Sequence, residues 1–378
     1  MRIALFSPWH ITENSIGGTE RFTEDLAIAL YDLGNEVDIY MLTGKSYSKN
    51  GINYISLNLF GNDIIADEYM INKEFGVFDN YETYHNFAKR VESLIDITSY
   101  DFLQLNSNLF LCAWSDKKRI FTLHSNYAEF KVLGTDEEFK FMLKIMREEA
   151  RNNQTYYVCP SDYYCEEWRK VLGDKVLNFP HAINIKRLLC DVNKCKLVKK
   201  YNVSQDKIKI LLPSRLEMIQ KRPYLILEAL HLLDEDIKNN FQVIFTGIDI
   251  QYKNNEENLK DLSEKYKIDS KFIIFDTIKE GYKLADIVCI PSSSESFGYS
   301  ALESLYLGKM TILSDIPTYN EFAKESNAII FGNTALELAN IFKNLSGIKM
   351  NKNNQKKFES KYSMNIFAKN YMGVFDEK

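Results

Sequence analysis

Paired cysteines are absent from this sequence. Its six cysteines include no C-x-x-C pair, and Cys159 and Cys289 lie in apolar, strand-like runs. Structural zinc sites and disulfide frameworks are built from closely and regularly spaced cysteines. The spacing therefore argues against a zinc site and against disulfides, and we expect reduced thiols in a cytoplasmic protein.

Long apolar runs are absent as well. No stretch reaches the length of about 18 apolar residues that a transmembrane helix requires, and the apolar part of the N-terminal MRIALFSPWH is too short for a signal peptide. Basic residues are not in excess, since 47 Lys and Arg stand against 52 Asp and Glu, for a formal net charge of −5. Nucleic-acid binding favours a positive surface, so we expect no nucleic-acid partner.

A dinucleotide-binding fingerprint is missing from the start of the chain. Arg2–Ser7 predict a strand, a helix follows with Thr19 as its N-cap, and Glu36–Leu42 predict a second strand. This order predicts a parallel sheet. The glycines before the helix are Gly17 and Gly18 rather than G-x-G-x-x-G. Adjacent glycines let the backbone approach a ligand closely, although a simple turn before a helix would also explain them.

The chain contains a long alternation of strand and helix patterns. Its 378 residues exceed one ordinary core and fit two domains of about 150–200 residues. We place these domains at residues 1–180 and 181–360, followed by a terminal helix over 361–378. The fold prediction is α/β, with two Rossmann-like, doubly wound domains.

The segment Asp286–Leu313 contains the strongest candidate for a site. Ile287–Ile290 is a short apolar run that predicts a buried strand, a polar loop follows, and the apolar spacing over Gly298–Leu307 predicts a helix. The loop therefore ends at a helix N-terminus. Free N–H groups and the positive end of the helix dipole suit a phosphate there.

Two carboxylates frame this loop. Glu295 lies in the loop and Glu303 lies in the helix, and seven residues separate them. Carboxylates beside an anion site are poor phosphate ligands, but they accept hydrogen bonds from the hydroxyls of sugars and ribose. The spacing leaves a second interpretation open, in which Glu295 is a solvated loop residue and Glu303 a surface residue of the helix.

Two cations follow another predicted strand. Lys207–Leu212 predict this strand, and Arg215 and Lys221 come after it in the run PSRLEMIQKRP. Positive side chains at the end of a strand suit a diphosphate. The alternative interpretation is a pair of surface cations near a turn.

The run E-S-F-G-Y-S-A-L-E, over Glu295–Glu303, resembles the E-x7-E motif of retaining glycosyltransferases of the GT-B fold, especially glycosyltransferase family 4 (GT4). The runs GGTER and PSRLEMIQKRP resemble two further motifs of that family. The sequence departs from the family pattern at Arg222, where the family has glycine. The run Ser314–Phe322 resembles a loop of the family and is predicted as one. The family has a glycine pair there, where this sequence has Pro317 and Thr318.

The resemblance implies two domains that face each other across a cleft, with the last helix returning to the N-terminal domain. Arg215 and Lys221 would then neutralise the leaving diphosphate, and Glu295 would hold sugar hydroxyls. His124, at the end of a predicted strand, would orient the sugar, although a histidine bonded into a loop is the alternative. The resemblance also implies a set of donor-binding residues: Gly17, Gly18, Ser296, Phe297, Gly298, Glu303 and Glu321.

The predicted function is transfer of a hexosyl-type group from a nucleoside-diphosphate sugar, with retention, to an acceptor hydroxyl. We expect a role in the synthesis of cell-surface glycans, glycolipids or glycoproteins. The expected acceptor is a glycan, a lipid-linked sugar or a protein, and a partner glycosyltransferase is a further expectation. No metal or cofactor beyond the co-substrate is expected. Two alternatives remain open: a nucleotide-sugar epimerase on the same fold, and a non-catalytic nucleotide-sugar-binding partner subunit.

The segment Lys186–Lys200 is rich in lysine and predicts a polar helix between the domains. One interpretation is a solvated linker. The other is a helix that lies on an anionic membrane, which would place the protein peripherally at the inner membrane face.

Overall fold

The computed structural model describes residues 1–12, 17–61, 64–66, 68–125, 136–151, 154–247, 254–345 and 354–376. The chain divides into two compact units. Residues 1–182 together with 362–378 form unit 1, and residues 183–361 form unit 2. Each unit is built on a largely parallel sheet with helices between its strands, so the predicted α/β class with two Rossmann-like domains is confirmed.

Unit 1 begins with strand β1 and alternates strands with helices. Its described strands are β1 (Arg2–Ser7), β2 (Glu36–Met41), β3 (Tyr47–Lys49), β4 (Ile52–Ser56), β5 (Phe102–Leu105), β6 (Arg119–Thr122), β7 (Thr155–Cys159) and β8 (Val176–Asn178). Its described helices before residue 182 are α1 (Gly18–Asp32), α2 (Glu68–Phe75), α3 (Tyr81–Ser93), α4 (Asp136–Arg151) and α5 (Asp162–Leu172).

Unit 2 repeats this alternation. Its described strands are β9 (Ile208–Leu212), β10 (Phe241–Phe245), β11 (Ser270–Phe272), β12 (Ile287–Ile290), β13 (Met310–Ser314) and β14 (Ile329–Phe331). Its described helices are α6 (Lys194–Lys200), α7 (Tyr224–His231), α8 (Glu235–Lys238), α9 (Asn255–Lys265), α10 (Ile278–Leu284), α11 (Tyr299–Tyr306), α12 (Pro317–Glu325), α13 (Ala335–Lys343) and α14 (Asn354–Tyr362). Helix α15 (Met364–Asp376) follows and belongs to unit 1.

Both sheets reverse their strand order at one point. The order is β3-β4-β2-β1-β5-β6-β7-β8 in unit 1 and β11-β10-β9-β12-β13-β14 in unit 2. Among the described strand pairs, β3 and β4 are antiparallel and the others are parallel. The order reverses between β1 and β5 in unit 1, and between β9 and β12 in unit 2. Ligands of open parallel sheets bind beyond the carboxyl ends of the strands at this point.

Strand β1 shows why the central strands carry unbroken apolar runs. Ala4 and Phe6 pack into one core cluster and Ile3 and Leu5 into another, and all four are fully buried. Successive side chains of a strand point to opposite faces of the sheet. A parallel strand that is covered on both faces therefore needs apolar residues at every position.

Helix α15 completes the core of unit 1. Phe367 and Tyr371 pack against Phe22 of α1, with ring centroids 5.6 and 6.2 Å apart. The Tyr371 hydroxyl lies 3.1 Å from Thr122 Oγ1, at the end of β6. The last helix is thus part of the same packed layer as the first one.

Two predicted elements differ from the structure. The helix predicted over Lys186–Lys200 is divided into a 3-10 turn at Ile185–Arg187 and helix α6. Helix α6 begins late because the Asn193 side chain caps it by accepting from the Cys195 N–H at 2.7 Å. The loop predicted around Pro317 is the start of α12, since the fixed φ of proline suits the first turn of a helix. None of the helices in the described ranges is long and apolar enough to cross a bilayer.

Candidate functional site

In unit 2 the loops after β9 and β12 meet where the strand order reverses. Ile287 of β12 pairs with Ile210 of β9, so the two strands lie side by side and run in the same direction. Residues 213–223 follow β9 and residues 291–298 follow β12. These loops carry the predicted residues Arg215, Lys221, Glu295, Ser296, Phe297 and Gly298.

Lys221 and Glu295 form an ion pair between these loops. Lys221 Nζ donates to Glu295 Oε1 at 2.6 Å, and the two side chains are 12% and 15% exposed. The same carboxylate oxygen accepts from Ser292 Oγ at 2.8 Å and lies 3.4 Å from the Tyr319 hydroxyl. An ammonium has three N–H donors, so Lys221 can hold Glu295 and still offer donors to an anion. Glu295 is therefore not an isolated, solvated loop residue.

Helix α11 begins after a glycine that the local geometry requires. Gly298 has φ +89°, and a Cβ at this position would lie 2.8 Å from Cε1 of Tyr319. The preceding residue, Phe297, is buried and packs edge-on against Phe322 at 5.7 Å. Ser296 is half-buried. These contacts fix the N-terminus of α11, where the helix dipole is positive, directly after Glu295.

Glu303 lies inside α11 and is buried. It is 1% exposed, and the Tyr282 hydroxyl of α10 donates to its Oε2 at 2.8 Å. A buried carboxylate needs hydrogen bonds that replace those of water. The interpretation of Glu303 as a surface residue of the helix is therefore wrong.

Arg215 lies on the surface after β9. Its backbone passes close to that of Gly247. A Cβ on Gly247, two residues after β10, would lie 2.1 Å from the Ser214 carbonyl oxygen and 2.7 Å from Arg215 Cα. Only glycine fits there. Sequence reasoning missed Gly247, although a glycine just after a central strand is a usable signal for close backbone approach.

Glu321 lies in α12, partly exposed, and not in the loop predicted for it. The start of this helix is fastened to the Glu295 loop, because the Thr318 hydroxyl donates to the Glu295 carbonyl oxygen at 2.5 Å. The two residues that replace the family's glycine pair thus build a helix start.

In unit 1, Gly17 and Gly18 lie at the start of α1. Gly17 is the N-cap of the helix, so the cap predicted at Thr19 is wrong. A Cβ on Gly17 would lie 2.0 Å from a carboxylate oxygen of Glu20. The absence of a side chain lets Glu20 fold back over the glycine. Residues 13–16, which precede these glycines, lie outside the described residues.

His124 follows β6 and contacts an amide pair at the end of β5. Its Nε2 lies 3.2 Å from Asn106 Oδ1, and this oxygen also accepts from Gln104 Nε2 at 2.7 Å. Gln104 Nε2 donates in addition to the Leu105 carbonyl at 3.3 Å. The Leu105 carbonyl can only accept, so the Gln104 amide must point its NH2 group toward it. The same NH2 group faces Asn106, so Asn106 must present its oxygen.

The other side of the amide pair ends on a second backbone carbonyl. Asn106 Nδ2 donates to Thr23 Oγ1 at 2.9 Å, and the Thr23 hydroxyl donates to the Thr19 carbonyl at 2.9 Å. Asn106 Oδ1 can therefore only accept, so His124 carries its proton on Nε2. Its Nδ1 is left as an acceptor.

Burial lowers the pKa of His124 to about 3, so the ring is neutral near pH 7. A neutral imidazole offers a lone pair to a hydroxyl but no positive charge. Asn106 and Gln104, which set its tautomer, were missed by sequence reasoning. The available signal was the polar pair in QLN, at the end of the apolar strand β5.

Two family models match the chain, one in each half. The model described as Glycosyltransferase Family 4 matches residues 16–187, and the model described as Glycosyl transferases group 1 matches residues 193–358. Comparison with curated protein sequences gives no match.

Several solved structures share the fold along the whole chain. Sucrose-phosphate synthase from Thermosynechococcus elongatus is 17% identical, with 99% of this chain and 98% of that chain covered and a TM-score of 0.78. A glycosyltransferase from Rickettsia africae is 19% identical, with 100% and 98% covered and a TM-score of 0.71. Anabaena HepE in complex with UDP and glucose is 13% identical, with 100% of both chains covered and a TM-score of 0.73.

Identities this low show the fold alone, whereas the family models are matched by the sequence itself in both halves. From these matches and the two doubly wound sheets, we conclude that the chain belongs to the GT-B glycosyltransferases of the GT4 type.

Proposed function

We propose that this glycosyltransferase moves a sugar from a nucleoside-diphosphate sugar to an acceptor hydroxyl with retention, and that unit 2 binds the donor. The observation that carries the proposal is the Lys221–Glu295 pair, which lies beside the N-terminus of α11 where the strand order reverses. Cation and helix N-terminus suit a diphosphate, and the carboxylate suits sugar hydroxyls. The UDP and glucose named for Anabaena HepE support a donor of this class.

Lys221 is proposed to stabilise the leaving group, with Arg215 as a second cation. During transfer the bond between the anomeric carbon and the β-phosphate oxygen breaks. A bond to the acceptor oxygen forms, and the acceptor hydroxyl gives its proton to the departing diphosphate oxygen. Negative charge grows on the diphosphate as its bond breaks, so a fixed ammonium lowers the barrier more than it strengthens ground-state binding.

The carboxylates are proposed to hold hydroxyls. Glu295 would accept from the transferred sugar, since its carboxylate is held beside Lys221, the proposed partner of the diphosphate. Glu303 would accept from ribose while Tyr282 holds its other side. For His124 we propose a neutral acceptor of a substrate hydroxyl, through Nδ1. We propose further donor contacts with the remaining predicted residues: Gly17, Gly18, Ser296, Phe297, Gly298 and Glu321.

The setting is proposed to be the synthesis of a cell-surface glycan, a glycolipid or a glycoprotein. The acceptor would then be a hydroxyl of a growing glycan, a lipid-linked sugar or a protein.

A thermal-shift screen with UDP, GDP, ADP and their glucose or mannose conjugates tests donor binding. A specific ligand at 100 times its dissociation constant should stabilise the fold by about 2.7 kcal/mol. The Glu303→Ala variant serves as the control, because at the same ligand concentration it should lose about half of the response or more. No response to any nucleoside diphosphate would overturn the proposal.

Product analysis by NMR tests the reaction with the donor that the screen selects. We expect release of nucleoside diphosphate and, with an acceptor, a glycoside of the donor's anomeric configuration. A new sugar nucleotide formed from donor alone would instead identify an epimerase. Donor binding without turnover for any acceptor class would favour the non-catalytic alternative.

A further inference from the structure

Arg222 adopts a backbone conformation that side chains normally avoid. Its φ is +47°, in the left-handed region, at the position where the family pattern has glycine. The arginine thus keeps the backbone that a glycine would adopt. A non-glycine residue stays in this conformation only where its surroundings hold it there.

The guanidinium of Arg222 joins the loops that follow the central strands. Its Nε donates to the Pro291 carbonyl at 2.7 Å, and its Nη2 donates to the Ser292 carbonyl at 3.1 Å and to Asn333 Oδ1 at 2.7 Å. Asn333 follows β14 and in turn donates to the Asp315 carbonyl, after β13, at 2.9 Å. One side chain therefore links the loops after β9, β12 and β14, and through Asn333 the loop after β13.

The backbones on either side of this side chain are joined as well. The Ser293 N–H donates to the Gln220 carbonyl at 2.7 Å, and Gln220 Nε2 donates to the Ser294 carbonyl at 3.1 Å. These bonds and those of Arg222 bracket the Lys221–Glu295 contact. The relative position of this ion pair is thus determined by the neighbouring residues in each loop.

We propose that Arg222 is a positioning residue, whose planar guanidinium holds the Glu295 loop at the distance from Lys221 that donor chemistry requires. The inference rests on the proposed function of that pair. A rival is that Arg222 serves as a third cation for the diphosphate. The geometry disfavours the rival, because the three hydrogen bonds direct the guanidinium to protein acceptors. A lysine would keep the charge but could not reproduce the planar fork.

Hydrogen exchange of the full chain, followed by mass spectrometry, tests the positioning without any ligand. Two variants separate the features of Arg222: Arg222→Lys keeps the charge, and Arg222→Gly keeps the left-handed backbone. We expect amide exchange over residues 291–298 to rise about ten- to hundredfold in both, because hydrogen bonds to a charged group are lost. Lys267→Gly is the matched control, since Lys267 is an exposed residue of unit 2 with φ +54°, and it should leave this segment unchanged.

Unchanged exchange over 291–298 in a folded Arg222→Gly chain would overturn the proposal. Should neither Arg222 variant fold, Asn333→Gly removes the distal acceptor while keeping its left-handed backbone, φ +69°. It should loosen residues 291–298 and 332–334 together, and the absence of any change there would also count against the positioning role.

Donor turnover provides the second measurement. Arg222→Lys should lower kcat about tenfold or more while KM for the donor changes less, because the cation remains and only its alignment is lost. If Arg222→Lys shows faster amide exchange over residues 291–298 but a wild-type kcat, the loop position does not affect the rate and this part of the proposal fails. Wild-type kcat and exchange in Arg222→Lys, with a loss of donor affinity in Arg222→Gly, would instead support the third cation. If no chain turns over any donor, the proposed function fails, whereas the exchange result still decides the positioning.

Discussion

The two strand-order reversals carry different chemistry. In unit 1 the polar groups beside β5 and β6 are neutral. They form a series of hydrogen bonds whose direction is fixed by a backbone carbonyl at each end, that of Leu105 and that of Thr19. In unit 2 an ion pair occupies the corresponding place. The neutral hydrogen-bond series of unit 1 orients one acceptor, His124 Nδ1, whereas the ion pair of unit 2 supplies charge that can interact with a ligand. Substitutions in unit 2 should therefore affect rate and charge stabilisation, and those in unit 1 should affect tautomer and protonation.

The largest expected effect is that of Lys221→Ala. Loss of a group that stabilises developing charge should lower kcat about 100- to 1000-fold, measured as release of nucleoside diphosphate at saturating donor. Lys324→Ala, on the exposed face of α12, makes the same change in net charge and should leave kcat unaltered. Undiminished turnover in Lys221→Ala would remove its leaving-group role.

The second effect is on stability, at the start of α11. Gly298→Ala should lower the free energy of unfolding by about 2–4 kcal/mol, through left-handed strain and the close contact with Tyr319. Gly308→Ala is the matched control. It also has a positive φ, +66°, but nothing lies within 4 Å of its added Cβ, so about 1 kcal/mol is expected. Equal shifts of the urea midpoint would show that the contact with Tyr319 contributes nothing.

A smaller effect is expected for nucleotide affinity at Glu303. Glu303→Ala should weaken binding of the selected nucleoside diphosphate about ten- to hundredfold, because charged hydrogen bonds to ribose are lost. Tyr282→Phe removes the hydroxyl that donates to Glu303 and leaves the carboxylate, so calorimetry should show only a few-fold loss. Equal losses in both variants would assign Glu303 a structural role.

The smallest expected effect is a pH dependence from His124. The unfolded imidazole binds a proton below pH 6.5, whereas the folded one does so only near pH 3. Stability is therefore lost as the pH falls. From pH 6.5 to 5.5 the wild type should lose about 1 kcal/mol more than His124→Gln does. The same loss in both chains would show that His124 is not held neutral.

The tautomer of His124 gives a second test of the neutral site in unit 1. Imidazole nitrogen NMR shifts of the wild type should show His124 protonated on Nε2, with the signal assigned through the His124→Gln chain. Asn106→Asp places a carboxylate beside that proton and should raise the pKa of the ring. A proton on Nδ1 in the wild type would contradict the hydrogen-bond directions derived for Gln104, Asn106 and His124.

Elements that are indicated by a few neighbouring residues were predicted well. The apolar run of β12 and the helix predicted after its loop, α11, lie where the sequence placed them. Helix α12 was missed because Pro317 indicates a loop and a helix start equally well.

Partners that are distant in sequence could not be predicted from spacing. Lys221 and Glu295 are 74 residues apart, and Asn106 and His124 are 18 apart. The strand order brings each pair together, and no periodicity records that order. The motifs indicated which residues matter, whereas their partners and the direction of each hydrogen bond came from the fold.

The place of helix α15 has a consequence for synthesis on the ribosome. Unit 2 is one continuous segment, whereas the apolar layer of unit 1 is closed by Phe367 and Tyr371. As the chain emerges, unit 2 has all of its residues while the first sheet still exposes the face that α15 will cover. Unit 1 therefore completes its core only after unit 2 has been synthesised, so its sheet exposes apolar surface for longer than the sheet of unit 2 does.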